Sequence, residues 1–394
     1  MTPEPAAFAS ALSQNPDTLA AMQEVAAEAL TQLGATPDLA FLFFSADHVS
    51  HAEEVAKQLA DQLGTDCVVG CSAESIAGVN AEIEMEPAIS LWLARLPGTT
   101  VQPLRLEFAK THHGPGFVGW PDALREGWPS GATLMILGDP FSFPVDVLLE
   151  QMNDQQPGAP IVGGMASAAH EPGGNRLILG RGTHADGAVG VLIHGGVRVR
   201  TVVSQGCRPI GEHFVITKAE RNVIHQLGGL PAYKRLEEVY ITLPTTEQRM
   251  LQQGLHVGRV VSEYQDHFEQ GDFLVRNVVG VDPEEGYIAI GDYVRVGQTV
   301  QFHIRDADSA DGELKQLLAA AGKSQSAATS AALLFTCNGR GTRFFSEPHH
   351  DAGAIHQAFG SIPLAGFFAA GEVGPIGGRN FLHGFTASVA LFGT

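Results

Sequence analysis

Cysteine and basic charge are both scarce in this 394-residue chain, and each shortage excludes something. The four cysteines, Cys67, Cys71, Cys207 and Cys337, lie far apart except for the first two. One C-x3-C spacing with no second pair gives neither a zinc site nor a disulfide framework. Lys and Arg number 24 against 43 Asp and Glu, for a formal net charge of −19. Phosphate backbones and anionic lipid repel such a polyanion, so neither nucleic acid nor a membrane surface is expected as a partner. No uninterrupted apolar run approaches the roughly 20 residues that span a bilayer. The opening MTPEPAAFASALSQNPDTLA has no basic stretch followed by an apolar core, so no secretory signal is read and a reduced, cytoplasmic setting is expected. None of the glycine turns that end the apolar strands matches the P-loop or the GxGxxG fingerprint, and no HExxH spacing appears, which leaves a nucleotide or zinc-hydrolase reading weak.

What is present is a globular composition, 44% hydrophobic and 17% charged. The length exceeds the roughly 250–300 residues at which one core stops growing, so two domains are expected. Residues 16 to 34 predict a helix, with Leu19, Met22, Val25, Ala26, Ala29, Leu30 and Leu33 on one face and Gly34 to end it.

The chain then repeats itself. LAFLFFSADH (39–48) is an apolar run of buried-strand type, and SHAEEVAKQLADQLG follows as a helix with Ser50 and Glu53 as its expected capping box. CVVGCSAESIAG then breaks into small residues. A second copy runs from TLMILGDPFSFP to PIVGGMASAAHEPGG, and a third from ALLFTCNGRG, through a helix near 351–359, to PLAGFFAAGEVGPIGG. Strand to glycine turn takes about 30 residues each time, the spacing of a strand–helix–strand unit. A further apolar strand closes each copy: AISLWLARL, GAVGVLIHGG and FTASVALF. The expected class is therefore α/β (α+β), with repeated strand–helix–strand units forming mixed sheets in two domains. Between copies two and three lies a different segment, read as strands plus a helix capped by Thr217 with Glu220, then a strand-rich meander turning at DPEEG. A boundary near residues 196–210 fits.

Strands that end in glycine-rich turns place backbone N–H groups at a sheet edge, where a small anion or polar ligand end approaches closely. Charge gathers in the third copy: Cys337, Asn338, Arg340 and Arg343 in CNGRGTRFF, His349, His350 and Asp351 in EPHHDAG, and Glu372, Arg379, Asn380 and His383 in GEVGPIGGRNFLHG. Glu372 is the odd residue, a lone carboxylate among glycines, alanines and phenylalanines. An arginine fork holds a carboxylate and an opposing carboxylate holds an amine, so Glu372 with Arg340, Arg343 or Arg379 defines a site for a small zwitterion such as an amino acid. Equally, Glu372 with one of those arginines pins two loops together. His112 and His113 sit beside Gly and Pro, which reads as an exposed loop.

GCSAESIAG, IVGGMASAA, SQGCRPIGEHFVITKAERNVIHQLGG, GDFLVRNVVGVDP, VGQTVQFHIRDADSA, CNGRG and LAGFFAAGEVGPIGGRNFLHGFTASVALF resemble, in the same order, the motifs of the FIST family. The resemblance runs from about Asp38 to Phe392. Residues 1–36, which hold the predicted helix, are read as an N-terminal helical arm, and the resemblance implies a FIST N-terminal domain over 37–200 and a FIST C-terminal domain over 201–394, in a stand-alone, bacterial-type member. It further implies a sensory, ligand-binding role, with amino acids suggested as ligands and a signalling protein as partner. The motif positions it carries over are Gly70, Cys71, Ser72 and Glu74, then Gly163, Gly164 and Ser167, with the CNGRG loop and the stretch holding Glu372, Arg379 and His383.

The leading expectation is a cytoplasmic sensor that binds a small polar metabolite between its domains, with no metal and no required cofactor. Two alternatives stand beside it. Some family members bind haem and sense nitric oxide, and His350, His356 or His383 would supply the axial imidazole. Cys337 with His350 and Asp351 could form a thiol nucleophile, base and orienter. Edge strands left by the repeats can pair between chains, which makes a homodimer a candidate assembly.

Overall fold

A computed structural model describes residues 5–111, 114–264, 268, 270–323 and 328–393. His112 and His113 lie outside the described residues. Two compact units are present, one built from residues 1–204 and 314–394 and the other from 205–313.

The first unit contains three copies of one plan. Copy one comprises β1 (Ala7–Ser13), α1 (Thr18–Leu33), β2 (Leu39–Ser45), α2 (Ala52–Leu63), β3 (Val68–Ala73), the hairpin β4 (Ser75–Gly78) and β5 (Ala81–Glu84), and β6 (Ile89–Arg95). Copy two comprises β7 (Thr99–Thr111), β8 (Gly114–Val118), β9 (Thr133–Gly138), α3 (Val145–Gln155), β10 (Ile161–Met165), the hairpin β11 (Leu177–Leu179) and β12 (Gly182–His184), and β13 (Ala188–Gly195). Copy three opens with β14 (Arg198–Ser204), after which the second unit is inserted.

That insertion holds β15 (Cys207–Glu220), β16 (Val223–Leu227), β17 (Leu230–Pro231), α4 (Ala232–Thr242), α5 (Thr245–Gln253), β18 (Leu255–Val260), β19 (Phe273–Asp282), β20 (Tyr287–Ile290) and β21 (Thr299–Arg305). Copy three resumes with α6 (Ala307–Lys323), whose first residues belong to the second unit, then β22 (Thr329–Cys337), α7 (His350–Phe359), β23 (Leu364–Ala369), the hairpin β24 (Glu372–Ile376) and β25 (Arg379–His383), and β26 (Ala387–Gly393).

Each copy forms its own sheet around a parallel pair, β2 with β3, β9 with β10 and β22 with β23, and its last strand runs antiparallel beside the first of the pair. The hairpins are exchanged in a cycle. β4–β5 leaves copy one for the sheet of copy three, β11–β12 leaves copy two for that of copy one, and β24–β25 leaves copy three for that of copy two. The three mixed sheets are thereby tied into a ring.

Period-two alternation explains why these strands read as continuous apolar runs. In β2, Leu39, Phe41 and Phe43 enter a core shared by all three copies, while Ala40, Leu42 and Phe44 face the helices α1 and α2. β9 and β22 divide the same way between the shared core and the cores under α3 and under α6 with α7. The shared core is aromatic where copies one and three meet: Trp92 lies 4.8 Å from Phe392 and Phe43 5.1 Å from Phe367 between ring centroids. Truncating such a ring to alanine costs about 3–5 kcal/mol.

The second unit is an antiparallel barrel. Its strands run β15-β21-β18-β19-β20-β16, and a further β15–β16 ladder closes the circuit. Two expectations are corrected here. The segment holding Thr217 and Glu220 is strand β15, not a capped helix, because its alternate residues Phe214 and Ile216 fill the barrel core. Helix α2 starts at Ala52, and Ser50 lies in the preceding 3-10 turn rather than in a capping box. The DPEEG turn joins β19 to β20 as read.

Candidate functional site

The glycine turns serve the sheets first. Gly70, Gly163 and Gly366 occupy the same place in the three copies, paired with Leu42, Ile136 and Leu334 across the parallel ladder. A Cβ at each would stand 2.2, 1.8 and 1.9 Å from the partner's carbonyl oxygen. Only glycine permits this approach, so Gly70 and Gly163 act by packing backbone on backbone. Gly164 is tight too: its Cβ would lie 2.9 Å from that of Ala369. Cys71 is buried in the shared core.

Beyond those glycines, the ends of β3, β10 and β23 converge. The Ser167 amide donates to Ser72 O at 3.3 Å, and the Glu74 amide to Ser167 Oγ at 3.0 Å. Ser167 Oγ donates to Phe368 O, and the Asn338 amide to Ala369 O at 3.0 Å. Arg343 lies over this junction, with its guanidinium 2.5 Å from a Glu74 oxygen and donating to Asn338 O at 2.9 Å. The Arg343 side chain is 45% exposed and that of Glu74 19%, so this ion pair forms an accessible rim. The structure thus brings together Ser72, Glu74, Ser167, Asn338, Arg343 and, beneath them, Cys337.

Two copies supply complementary charge. The exchanged segment of copy one gives Glu74, Glu82 and Glu84, and the CNGRGTR loop of copy three gives Arg340 and Arg343. Glu84 accepts from the Thr342 amide and hydroxyl at 2.9 and 2.7 Å. Glu82 accepts from the Ala352 amide at 2.8 Å, and burial together with nearby Asp351 pushes its carboxyl up to about 8.

Arg340 is completely buried and forks onto Asp351, Nε to Oδ2 at 2.8 Å and Nη2 to Oδ1 at 2.7 Å. Thr336 Oγ1 donates to Asp351 at 2.6 Å and the His350 Nδ1 lies 2.9 Å from it. The guanidinium also sits 4.9 Å above the Phe345 ring, which stacks on His350 at 3.4 Å. Burial raises the Asp351 carboxyl, but Arg340 and the other donors outweigh it and hold the group well below the usual carboxylate range.

Glu372 is also fully buried. Its Oε2 accepts from the Thr386 amide at 3.0 Å, and Oε1 has no well-formed hydrogen bond. Burial pushes this carboxyl up to about 8, against smaller opposing effects from the Thr386 amide, the neighbouring Cys337 thiol and Arg340. Cys337 is raised to about 12 by burial and by Glu372. None of the three candidate arginines pairs with Glu372. Arg340 takes Asp351, Arg343 takes Glu74, and Arg379 lies outside on β25, 3.9 Å from Asp154.

The remaining candidates sit apart from the rim. His383 pairs with Glu372 across the β24–β25 ladder, and its Nε2 lies 2.9 Å from Gly374 O. His350 is stacked and bonded as described, and His356 lies on α7 with a buried Nε2. Asp351 holds His350 by Nδ1, so an iron–imidazole bond there would have to form at Nε2, on a ring stacked against Phe345. Cys337 faces Glu372, and its raised pKa is opposite to that of an activated nucleophile. Among the described residues no group of three or more His, Cys, Asp or Glu is placed to hold a metal.

Glu82, Thr336, Thr386 and Phe385 belong to this cluster but carry no signal in the sequence. AEIE alternates like an exposed strand, and only the hairpin exchange buries Glu82. Phe385 adopts a φ of 62°, an uncommon conformation for an aromatic residue.

The FIST N domain matches residues 38–230 and the FIST C domain residues 232–375. The chain belongs to the FIST family, whose domains are generally sensory domains in signal transduction. It is 42% identical over 382 residues to an uncharacterised protein of Mycobacterium tuberculosis, covering 97% of this chain and 98% of that one. An uncharacterised protein of Mycobacterium bovis is 41% identical over 378 residues, covering 96% of each. Among solved structures, PurLQS from Thermotoga maritima matches with a TM-score of 0.24 and 9% identity, covering 98% of this chain and 72% of that one, a likeness too slight to carry an argument. Among the described residues no helix is long and apolar enough to cross a membrane.

Proposed function

We propose that the protein is a sensory domain for a small polar ligand, held at the junction of β3, β10 and the CNGRG loop, and that it passes the signal to a partner protein. The observation that carries this reading is the accessible Glu74–Arg343 pair, drawn from different copies, beside half-buried Asn338 and Cys337, the latter adjoining buried Glu372. A ligand with a carboxylate takes the Arg343 fork in exchange for Glu74, and one with both charges uses both residues. A zwitterion such as an amino acid suits the rim. Binding would bridge copies one and three, which the exchanged hairpin already joins, so ligand occupancy would bias their packing.

A thermal-shift screen of small metabolites tests the reading. A ligand at 100 times its Kd stabilises the folded state by about 2.7 kcal/mol. A shift seen in the wild type and lost in Arg343→Ala supports the site. A shift retained in Arg343→Ala and in Glu74→Gln would place the ligand elsewhere.

A further inference from the structure

Where each exchanged hairpin pairs with its host strand, the three copies carry Ile76, Leu177 and Glu372, opposite Phe367, Cys71 and Gly164. Ile76 and Leu177 are fully buried aliphatics that fill the core. Glu372 puts a carboxyl in the corresponding position, where Oε1 makes no well-formed hydrogen bond and has only the weak Cys337 thiol beside the carboxyl. A buried polar atom left unsatisfied costs free energy that an aliphatic residue would not. Stability therefore does not account for this side chain.

Its surroundings are defined on every side. The Cys337 thiol adjoins it from β22, and His383 stands across the ladder on β25. Arg340 acts on it through a shared peptide: Nη1 approaches Phe385 O at 3.4 Å, and the next amide, Thr386, donates to Glu372. On β10 its ladder partner is Gly164. Toward solvent lies the turn of exposed Gly384 and half-buried Phe385, the latter held at a φ of 62°. Non-glycine residues in that region store strain and concentrate at ligand clamps.

We propose that Glu372 is the floor of the ligand site, receiving the ammonium group of an organic cation when the Gly384–Phe385 turn moves aside and releasing its own proton to solvent as the cation arrives. This rests on reading the edge as a ligand site. The O–H bond of the acid breaks, the proton goes to the buffer, and the ligand's positive charge replaces it, so no net charge is added to the interior. Without a cation, ionisation under a dry cover has no compensating charge and the acid stays neutral. With an ammonium at hydrogen-bond distance, the charge-assisted pair favours the carboxylate. Neutral and anionic ligands release no proton from this group.

The test titrates the full chain with the proteinogenic amino acids, methylammonium and acetate, following melting temperature and protons released into weakly buffered solution at pH 7. The expected result is that an ammonium-bearing probe raises the melting temperature and releases about one proton per molecule bound. Glu372→Gln should bind that probe at least about tenfold more weakly and release none. Glu372→Leu, which restores the residue type of Leu177, should melt above the wild type and not bind. Binding without proton release, or equal binding by Glu372→Leu, overturns the inference and leaves the ligand site standing. A Glu372→Leu protein that melts below the wild type makes Glu372 a structural residue and also overturns it. If no probe shifts the wild type, the inference and the ligand reading fall together.

Discussion

Arg340 and Glu372, both fully buried, do not touch; one peptide group stands between them. Arg340 Nη1 approaches Phe385 O at 3.4 Å, and the Thr386 amide donates to Glu372 Oε2 at 3.0 Å. Arg340 spends its strong hydrogen bonds on Asp351, which is why Glu372 gains little from the cation nearby.

That division predicts unequal costs. Asp351→Ala leaves the Arg340 charge buried without its partner and should destabilise the first unit by about 3–5 kcal/mol. Replacing both residues with apolar ones, Arg340→Met with Asp351→Leu, should cost much less than the two single changes together. Chemical denaturation of the three variants measures this, and simple additivity would argue against the buried pair.

Stability should depend on pH through the same cluster. Glu82 and Glu372 are raised to about 8 from 4.5, so between those values the folded chain keeps protons that the unfolded chain has lost. Stability therefore falls as pH rises through that window and levels above it. In the barrel, burial pushes His256 and His303 down to about 4 from 6.5, which acts the other way below pH 6.5. From pH 6.5 to 8 the carboxyls act without them, worth at most about 2 kcal/mol per group. Melting temperature should decline across that range, and Glu82→Gln or Glu372→Gln should flatten the slope.

The glycine trio should respond alike. Gly70→Ala, Gly163→Ala and Gly366→Ala each drive a Cβ to within 2.2 Å or less of a carbonyl oxygen. Each strand pair must separate, with a loss of about 1–3 kcal/mol or more. Urea denaturation of the three variants checks whether the equivalence is energetic as well as topological.

Arg343 should separate stability from function. Its pair with Glu74 is partly exposed, and such pairs contribute about 0–1 kcal/mol. Arg343→Ala should melt within a few degrees of the wild type while losing any ligand response.

The thiols should be inert. Cys67 and Cys337 are both raised to about 12 by burial. Iodoacetamide at neutral pH should label the native protein slowly and the unfolded protein fully, as mass spectrometry will show. Rapid native labelling at Cys337 would revive the thiol-enzyme alternative.

The sequence by itself determined the three strand–helix–strand copies, the apolar strand closing each, and the inserted strand-rich segment. Those are local matters of period, capping glycines and turn residues. It also singled out Glu372, Arg340 and Arg343, because they are charges in an apolar, glycine-rich setting. Which charge meets which was decided by the tertiary structure. Hydrophobic pattern carries no record of which sheet a hairpin joins, since β4, β11 and β24 present similar apolar edges to any host strand. The exchange brings Glu74, Glu82 and Glu84 to the arginines of a segment more than 250 residues away. It leaves Glu372 where the other copies place Ile76 and Leu177, and so turns a lone carboxylate into a buried acid.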